Sequence, residues 1–96
     1  MTGGSAAADV AVSATTGGHA KNSSGTDWSR HIYVCDTLDD GHEMEGQARM
    51  GGYTAFVRDS AGGSCGHMVQ STGIKEFRSC RLKLIDNCGG WVVPRR

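Results

Sequence analysis

Ser64-Cys65-Gly66-His67 places a hydroxyl, a thiol and an imidazole within four consecutive residues. With the preceding glycines it also reads Gly62-Gly63-Ser64-Cys65-Gly66, a literal G-x-S-x-G nucleophile elbow. An elbow acts only as a strained turn between a parallel strand and a helix, with a histidine and an acid delivered by a larger sheet. A chain of 96 residues offers no such sheet, and its 15 glycines make a chance match cheap. Cys65 and His67 would share a face on a strand, the placement a thiolate and its base require. That chemistry needs a reduced sulfur, which an oxidised framework removes.

Two further groups suggest cations. Asp36-Thr37-Leu38-Asp39-Asp40-Gly41 follows the start of an EF-hand loop, with Asp36, Asp40 and Gly41 at its first, fifth and sixth positions. Leu38 and Gln47 stand where two further ligands belong, and no helix flanks the segment. The alternatives are a non-EF calcium turn on Asp36, Asp39 and Asp40, or a turn that caps itself with its own carboxylates. His31, His42 and His67 are candidate transition-metal ligands, although lone histidines on strands more often lie at or near the surface. No metal site is assigned on these residues, and no cofactor is expected.

The cysteines frame these groups. Cys35, Cys65, Cys80 and Cys88 are separated by 30, 15 and 8 positions, so none forms the close pair of a zinc knuckle. An even count in a short, glycine-rich chain reads as two disulfides in an exported protein, with zinc or free thiols as the competing readings. Met1 is followed by neither a basic region nor an apolar run, so the expectation is a mature chain whose signal segment has been removed, with Met1 an added start. Nothing in the sequence approaches a membrane span.

Residues 1–30 hold six Ala, five Gly, five Ser and four Thr, and their only large apolar side chains are Met1, Val10, Val12 and Trp28. Such a segment offers little apolar surface to offset the entropy of ordering it. A flexible tail is therefore expected over 1–28 and a stapled domain over 29–96. Val10 and Val12 could at most form a weak strand, and Asn22-Ser23-Ser24 is a glycosylation sequon.

Within the domain, His31–Cys35 is β-branched and aromatic. Glu43 to Met50 alternates, with Met44, Gly46, Ala48 and Met50 on one face and charged or amide side chains on the other. Gly51-Gly52 can close a hairpin to Tyr53–Arg58. A short strand is expected over 65–70 and a long one over 74–85, whose end, Cys80-Arg81-Leu82-Lys83-Leu84, reads as apolar-in and basic-out. Trp91–Val93 closes the domain. The fold class is all-β: a small antiparallel sandwich or barrel of five to six strands.

Net charge is zero, but residues 36–45 carry five acids and no Lys or Arg, while eight bases and three acids follow from 46 onward. The basic stripe Arg78, Arg81 and Lys83 lacks interleaved aromatics, which argues against nucleic acid as a partner.

Val34-Cys35-Asp36-Thr37-Leu38-Asp39-Asp40-Gly41-His42, then Gly62-Gly63-Ser64-Cys65, Arg78-Ser79-Cys80 and Cys88-Gly89-Gly90-Trp91-Val92, form a series over about 31–93. The series resembles the small secreted proteins abundant in Streptomyces and related actinobacteria. That resemblance implies export and a disulfide-bonded β fold, and it transfers no catalytic residue. It also makes Cys80–Cys88 the local pair, leaving Cys35–Cys65. A bond between Cys80 and Cys88 requires 82–87 to be a loop, because a tight hairpin there would carry Cys80 beyond reach.

The expected molecule is thus a secreted monomer that works as a non-catalytic binding module for an extracellular protein or a cell-wall glycan. A protease inhibitor or antimicrobial factor presenting a rigid loop is the first alternative, and a small hydrolase the second. The candidate binding loops are Asp36–His42 and Asp59–Gly66.

Overall fold

The computed structural model describes residues 10–61 and 63–96. Eight strands follow in order: β1 (Val12–Thr15), β2 (Gly18–Asn22), β3 (His31–Asp36), β4 (Met44–Arg49), β5 (Thr54–Asp59), β6 (Gly66–Val69), β7 (Glu76–Arg81) and β8 (Asn87–Cys88). They form two four-stranded antiparallel sheets, ordered β1-β2-β3-β6 and β5-β4-β7-β8. The chain is an all-β sandwich with two disulfides.

Six of the eight strands lie within 29–96. The other two correct the expectation of a tail. From Val12 to Asn22 the chain is a hairpin, and β2 pairs with β3 along its whole length. The part of that expectation covering residues 1–9 lies outside the described residues. The hairpin is ordered without large side chains. Gly17 takes the turn at a φ of 83°, in the left-handed region that glycine enters at least cost. A Cβ at Gly18 would stand 2.3 Å from the Cys35 carbonyl oxygen, so the close approach of β2 to β3 depends on this glycine.

Hydrogen bonds then join the two sheets. Ser79 donates its backbone N–H to Ser13 Oγ (3.1 Å) and its hydroxyl to the Ser13 carbonyl (2.7 Å), and Ser13 Oγ donates to the Gly90 carbonyl (2.7 Å). Asn22 is also buried. It accepts from the N–H groups of Ala11 (2.8 Å) and Arg95 (3.1 Å) and donates to the carbonyls of Ser23 (2.8 Å) and Arg95 (2.7 Å). The amide of the glycosylation sequon is therefore committed to the fold.

Ile32 and Val34 of β3, Met44 and Ala48 of β4, Met68 of β6 and Phe77 of β7 meet in the core between the sheets, with Ala11, Ala20, Met50 and Ile74 around them. The alternation of β4 sets its register against both β5 and β7. Gly51 and Gly52 do lie in the β4–β5 turn, where the Met50 N–H donates to the Tyr53 carbonyl (2.9 Å), but neither adopts positive φ. The long strand expected to Ile85 stops at Arg81, and the closing segment meets β7 through one bridge, Phe77 to Val92.

Candidate functional site

Cys35 is bonded to Cys65 and Cys80 to Cys88, with Cα–Cα distances of 4.5 and 3.9 Å. Cys80 and Cys88 stand directly opposite each other on β7 and β8. Residues 82–86 form the loop that this bond encloses.

The base of that loop holds a buried cation. Phe77, Ser79 and Arg81 share the inward face of β7, so Arg81 points into the protein, against the basic-out expectation. Its side chain is 0% exposed, as is that of Asp36. Nη1 donates to Asp36 Oδ1 (2.8 Å) and the Gly17 carbonyl (3.2 Å), and Nη2 to the carbonyls of Leu38 (2.6 Å) and His42 (3.1 Å). Nη2 also donates to Asp40 Oδ1, and Nε to Asp40 Oδ2 (3.2 Å). The planar guanidinium thus meets a ring of oxygens from every edge, which an ammonium could not do. The Arg81 hydrogen bond holds the Asp40 carboxyl at about 2, below its ordinary 3.8. Asp40 in turn pushes Arg81 further above its ordinary value.

This ring contains two of the three calcium candidates. Asp36 and Asp40 converge, and Asp39 stays exposed. The positive charge among these oxygens belongs to Arg81. Asp36 also donates its N–H to Asp59 Oδ2 (2.8 Å), tying the start of one candidate loop to the start of the other. Loops 36–42 and 59–66 share a cavity of about 160 Å³, lined by residues that include Asp39, His42, Glu43 and Ser60. Ser60 Oγ donates to Glu43 Oε2 there (3.1 Å).

The four-residue chemical stretch divides. Cys65 is spent in its disulfide, and the described residues contain no free cysteine. Ser64 leads into β6, an antiparallel strand, where an elbow would need a helix to follow. His67 faces outward on β6. Its ring stacks on Tyr33, with centroids 4.5 Å apart and an interplanar angle of 8°. Its Nε2 lies 2.9 Å from Nδ1 of His31. The other nitrogen of His31, Nε2, faces Asp27 Oδ2 at 3.9 Å. His42 belongs to the acidic loop, where its N–H donates to Asp40 Oδ1 (3.1 Å).

The basic stripe also dissolves. Arg81 is buried, Lys83 belongs to the loop, and Arg78 faces the Trp91 ring at 4.5 Å. Arg49 faces the same ring at 3.9 Å. Around this indole the outer face of the second sheet is a paired ladder. Arg49 contacts Glu76 (2.7 Å), Arg78 donates to Gln47 (2.8 Å) and Arg58 to Glu45 (3.1 Å).

The loop enclosed by Cys80 and Cys88 is the surface element that the sequence reading passed over. Leu84 is 103% exposed and Ile85 84%. The loop is braced: the Lys83 N–H donates to Asp86 Oδ1 (3.1 Å), and below it the Gly89 N–H donates to the Ser79 carbonyl (2.8 Å). The available signal was the requirement that a Cys80–Cys88 bond turn 82–87 into a loop, which places Leu84 and Ile85 off any buried strand face. Comparisons with protein-family models, with curated proteins and with solved structures find no match.

Proposed function

We propose that this chain is an exported, non-catalytic binding module of the actinobacterial secreted type, and that its contact element is the loop enclosed by Cys80 and Cys88. The observation that carries this reading is the full exposure of Leu84 beside the largely exposed Ile85. Large aliphatic side chains at a loop tip leave apolar surface in water that a partner's pocket would cover. A disulfide at the base lowers the entropy lost when such a loop is held, so more of the contact energy is retained as affinity. Two disulfides suit an oxidising location outside the cell, and no helix among the described residues is long and apolar enough to cross a membrane.

The non-catalytic part rests on what the reactive groups are doing. The Cys65 sulfur is oxidised, and the His67 ring nitrogen is engaged with His31. An extracellular protein fits two adjacent aliphatic side chains better than a polar glycan does. The protease-inhibitor reading is favoured by the same loop, because an enclosed ring with a protruding Leu84 can fill a specificity pocket. The Asp36–His42 loop suits that role less well, being drawn down onto Arg81.

The test compares the wild-type chain with a Leu84→Ser/Ile85→Ser variant, each immobilised and exposed to the secreted proteins and cell wall of the producing organism. Capture of one defined partner by the wild type alone supports the reading. Equal capture by both chains, or none by either, overturns it. A panel of secreted proteases assayed with the same pair separates inhibition from simple binding.

A further inference from the structure

The outer face of the first sheet carries a side-chain cluster that the loop does not use. β3 and β6 are paired so that Tyr33 stands opposite His67 and His31 opposite Val69. His31 and His67 are therefore diagonal neighbours on one face. Their facing nitrogens, Nδ1 of His31 and Nε2 of His67, are 2.9 Å apart. The Cys35–Cys65 bond lies beside the same pair of strands and limits how far they can separate.

We infer that His31 and His67 form a two-imidazole site for a late divalent transition metal, Ni²⁺ or Cu²⁺, bound at His31 Nδ1 and His67 Nε2. The 2.9 Å is an N–H···N hydrogen-bond distance, which places the two nitrogens close enough for one ion to span both once the rings turn. At metal–nitrogen distances of about 2.0–2.1 Å, two ligands at a right angle lie about 2.9 Å apart and tetrahedral ligands about 3.4 Å apart, so a right-angled bite asks for the smaller change in separation. Square-planar and octahedral ions have that bite, and imidazole suits both nickel and copper.

Asp27 Oδ2 stands 3.9 Å from the far nitrogen of His31, beyond a hydrogen bond, while its Oδ1 accepts from Arg30. Tyr33 backs the His67 ring in parallel contact. In the free protein one of the two facing nitrogens donates to the other. On binding, each ring turns its facing nitrogen outward, the proton between them passes to the far nitrogen of its own ring, and both facing nitrogens present lone pairs to the metal. Among the described residues no group of three or more His, Cys, Asp or Glu side chains converges on a metal, so the protein supplies two ligands and solvent or an external ligand supplies the rest. The site is open, because His67 is exposed and His31 half-buried.

The test is a titration of the full oxidised chain with Ni²⁺, followed by NMR of the histidine rings. Paramagnetic broadening should begin at His31, His67 and the stacked Tyr33, at one equivalent, and leave His42 sharp until excess metal is present. His31→Ala and His67→Ala should each weaken binding by more than about 10-fold, and His42→Ala by nothing measurable. Zn²⁺, which favours a wider bite, should bind less tightly than Ni²⁺. Broadening centred on His42 or His19, unchanged affinity in His67→Ala, or no binding at millimolar Ni²⁺ overturns the assignment. If a variant fails to form its native disulfides, the broadening map of the wild-type chain decides alone.

Discussion

Arg81 and Leu84 lie three positions apart on the same disulfide-enclosed ring, and each occupies the environment usual for the other. The arginine is 0% exposed and the leucine 103%. Side-chain polarity does not account for the inversion, but the number of partners available at each place does. At the base of the ring, Gly17, Leu38 and His42 offer carbonyls and Asp36 and Asp40 offer carboxylates, so a guanidinium can be buried with its donors matched. At the tip, none of the described residues covers Leu84, which stands fully exposed. One end of the ring is thus fixed by internal complementarity, and the other is left open to solvent.

The largest effect should come from breaking the base. Arg81→Met leaves Asp36 buried beside an apolar chain with no counter-charge, and should cost about 3–5 kcal/mol in urea unfolding. Arg81→Lys should recover little of it, since one ammonium cannot reach oxygens on every side of a planar fork. A loss below about 1 kcal/mol would mean that the carboxylates find other partners and that the base is not the fixed end.

The second effect joins the two ends. Replacing both Cys80 and Cys88 by Ser frees a loop of eight positions, and the chain-entropy relation puts the loss near 2.5 kcal/mol. The same variant should show faster backbone motion at Leu84 by NMR relaxation, with the Arg81 contacts retained. A loop as rigid as before would assign the bracing to Asp86 and the strand bonds alone.

The contrast also explains what the sequence could reveal. β3 and β4 declare themselves through a β-branched run and strict alternation, because each buries one face against large apolar side chains, whereas β5 is legible through the turn that joins it to β4 and is only half-buried along its inward face. β1 leaves only the weak signal of Val10 and Val12, and β2 leaves none. They are buried through Ser13, Ala20 and Asn22, and held by backbone approach and hydrogen bonds that small polar residues permit. A reading that weighs apolar surface against chain entropy treats that composition as a tail. At Arg81 the alternation itself was legible, but the face was misassigned, since only the fold shows the oxygen ring waiting for the guanidinium. The pairing of His31 with His67 depends on the β3–β6 register, which joins residues 36 positions apart and has no local signature.

A third effect is a dependence on pH at the base alone. The Asp40 carboxyl titrates at about 2 in the folded chain and near 3.8 when free. As pH falls below about 4 the unfolded chain takes up this proton first, so the stability Asp40 contributes is complete above that point and is lost between about pH 4 and pH 2. Thermal unfolding of the wild type and of Asp40→Asn should therefore converge as the solution is acidified. Curves that stay parallel through this range would show that Arg81 does not depend on the Asp40 charge.

The smallest effect on stability should be at the tip, and it is the one that most sharply divides the two ends. Leu84 and Ile85 are so exposed that replacing both by Ser removes little contact within the fold. The unfolding free energy should stay within about 0.5 kcal/mol of wild type, the ordinary range for surface substitutions. Burying a leucine in a partner's pocket is worth about 1.5–3 kcal/mol, so the same change should weaken binding by at least about 10-fold. A variant that loses stability in step with binding would show that the tip is packed in solution. The inversion between Arg81 and Leu84 would then reflect internal packing at both ends, with no surface reserved for a partner.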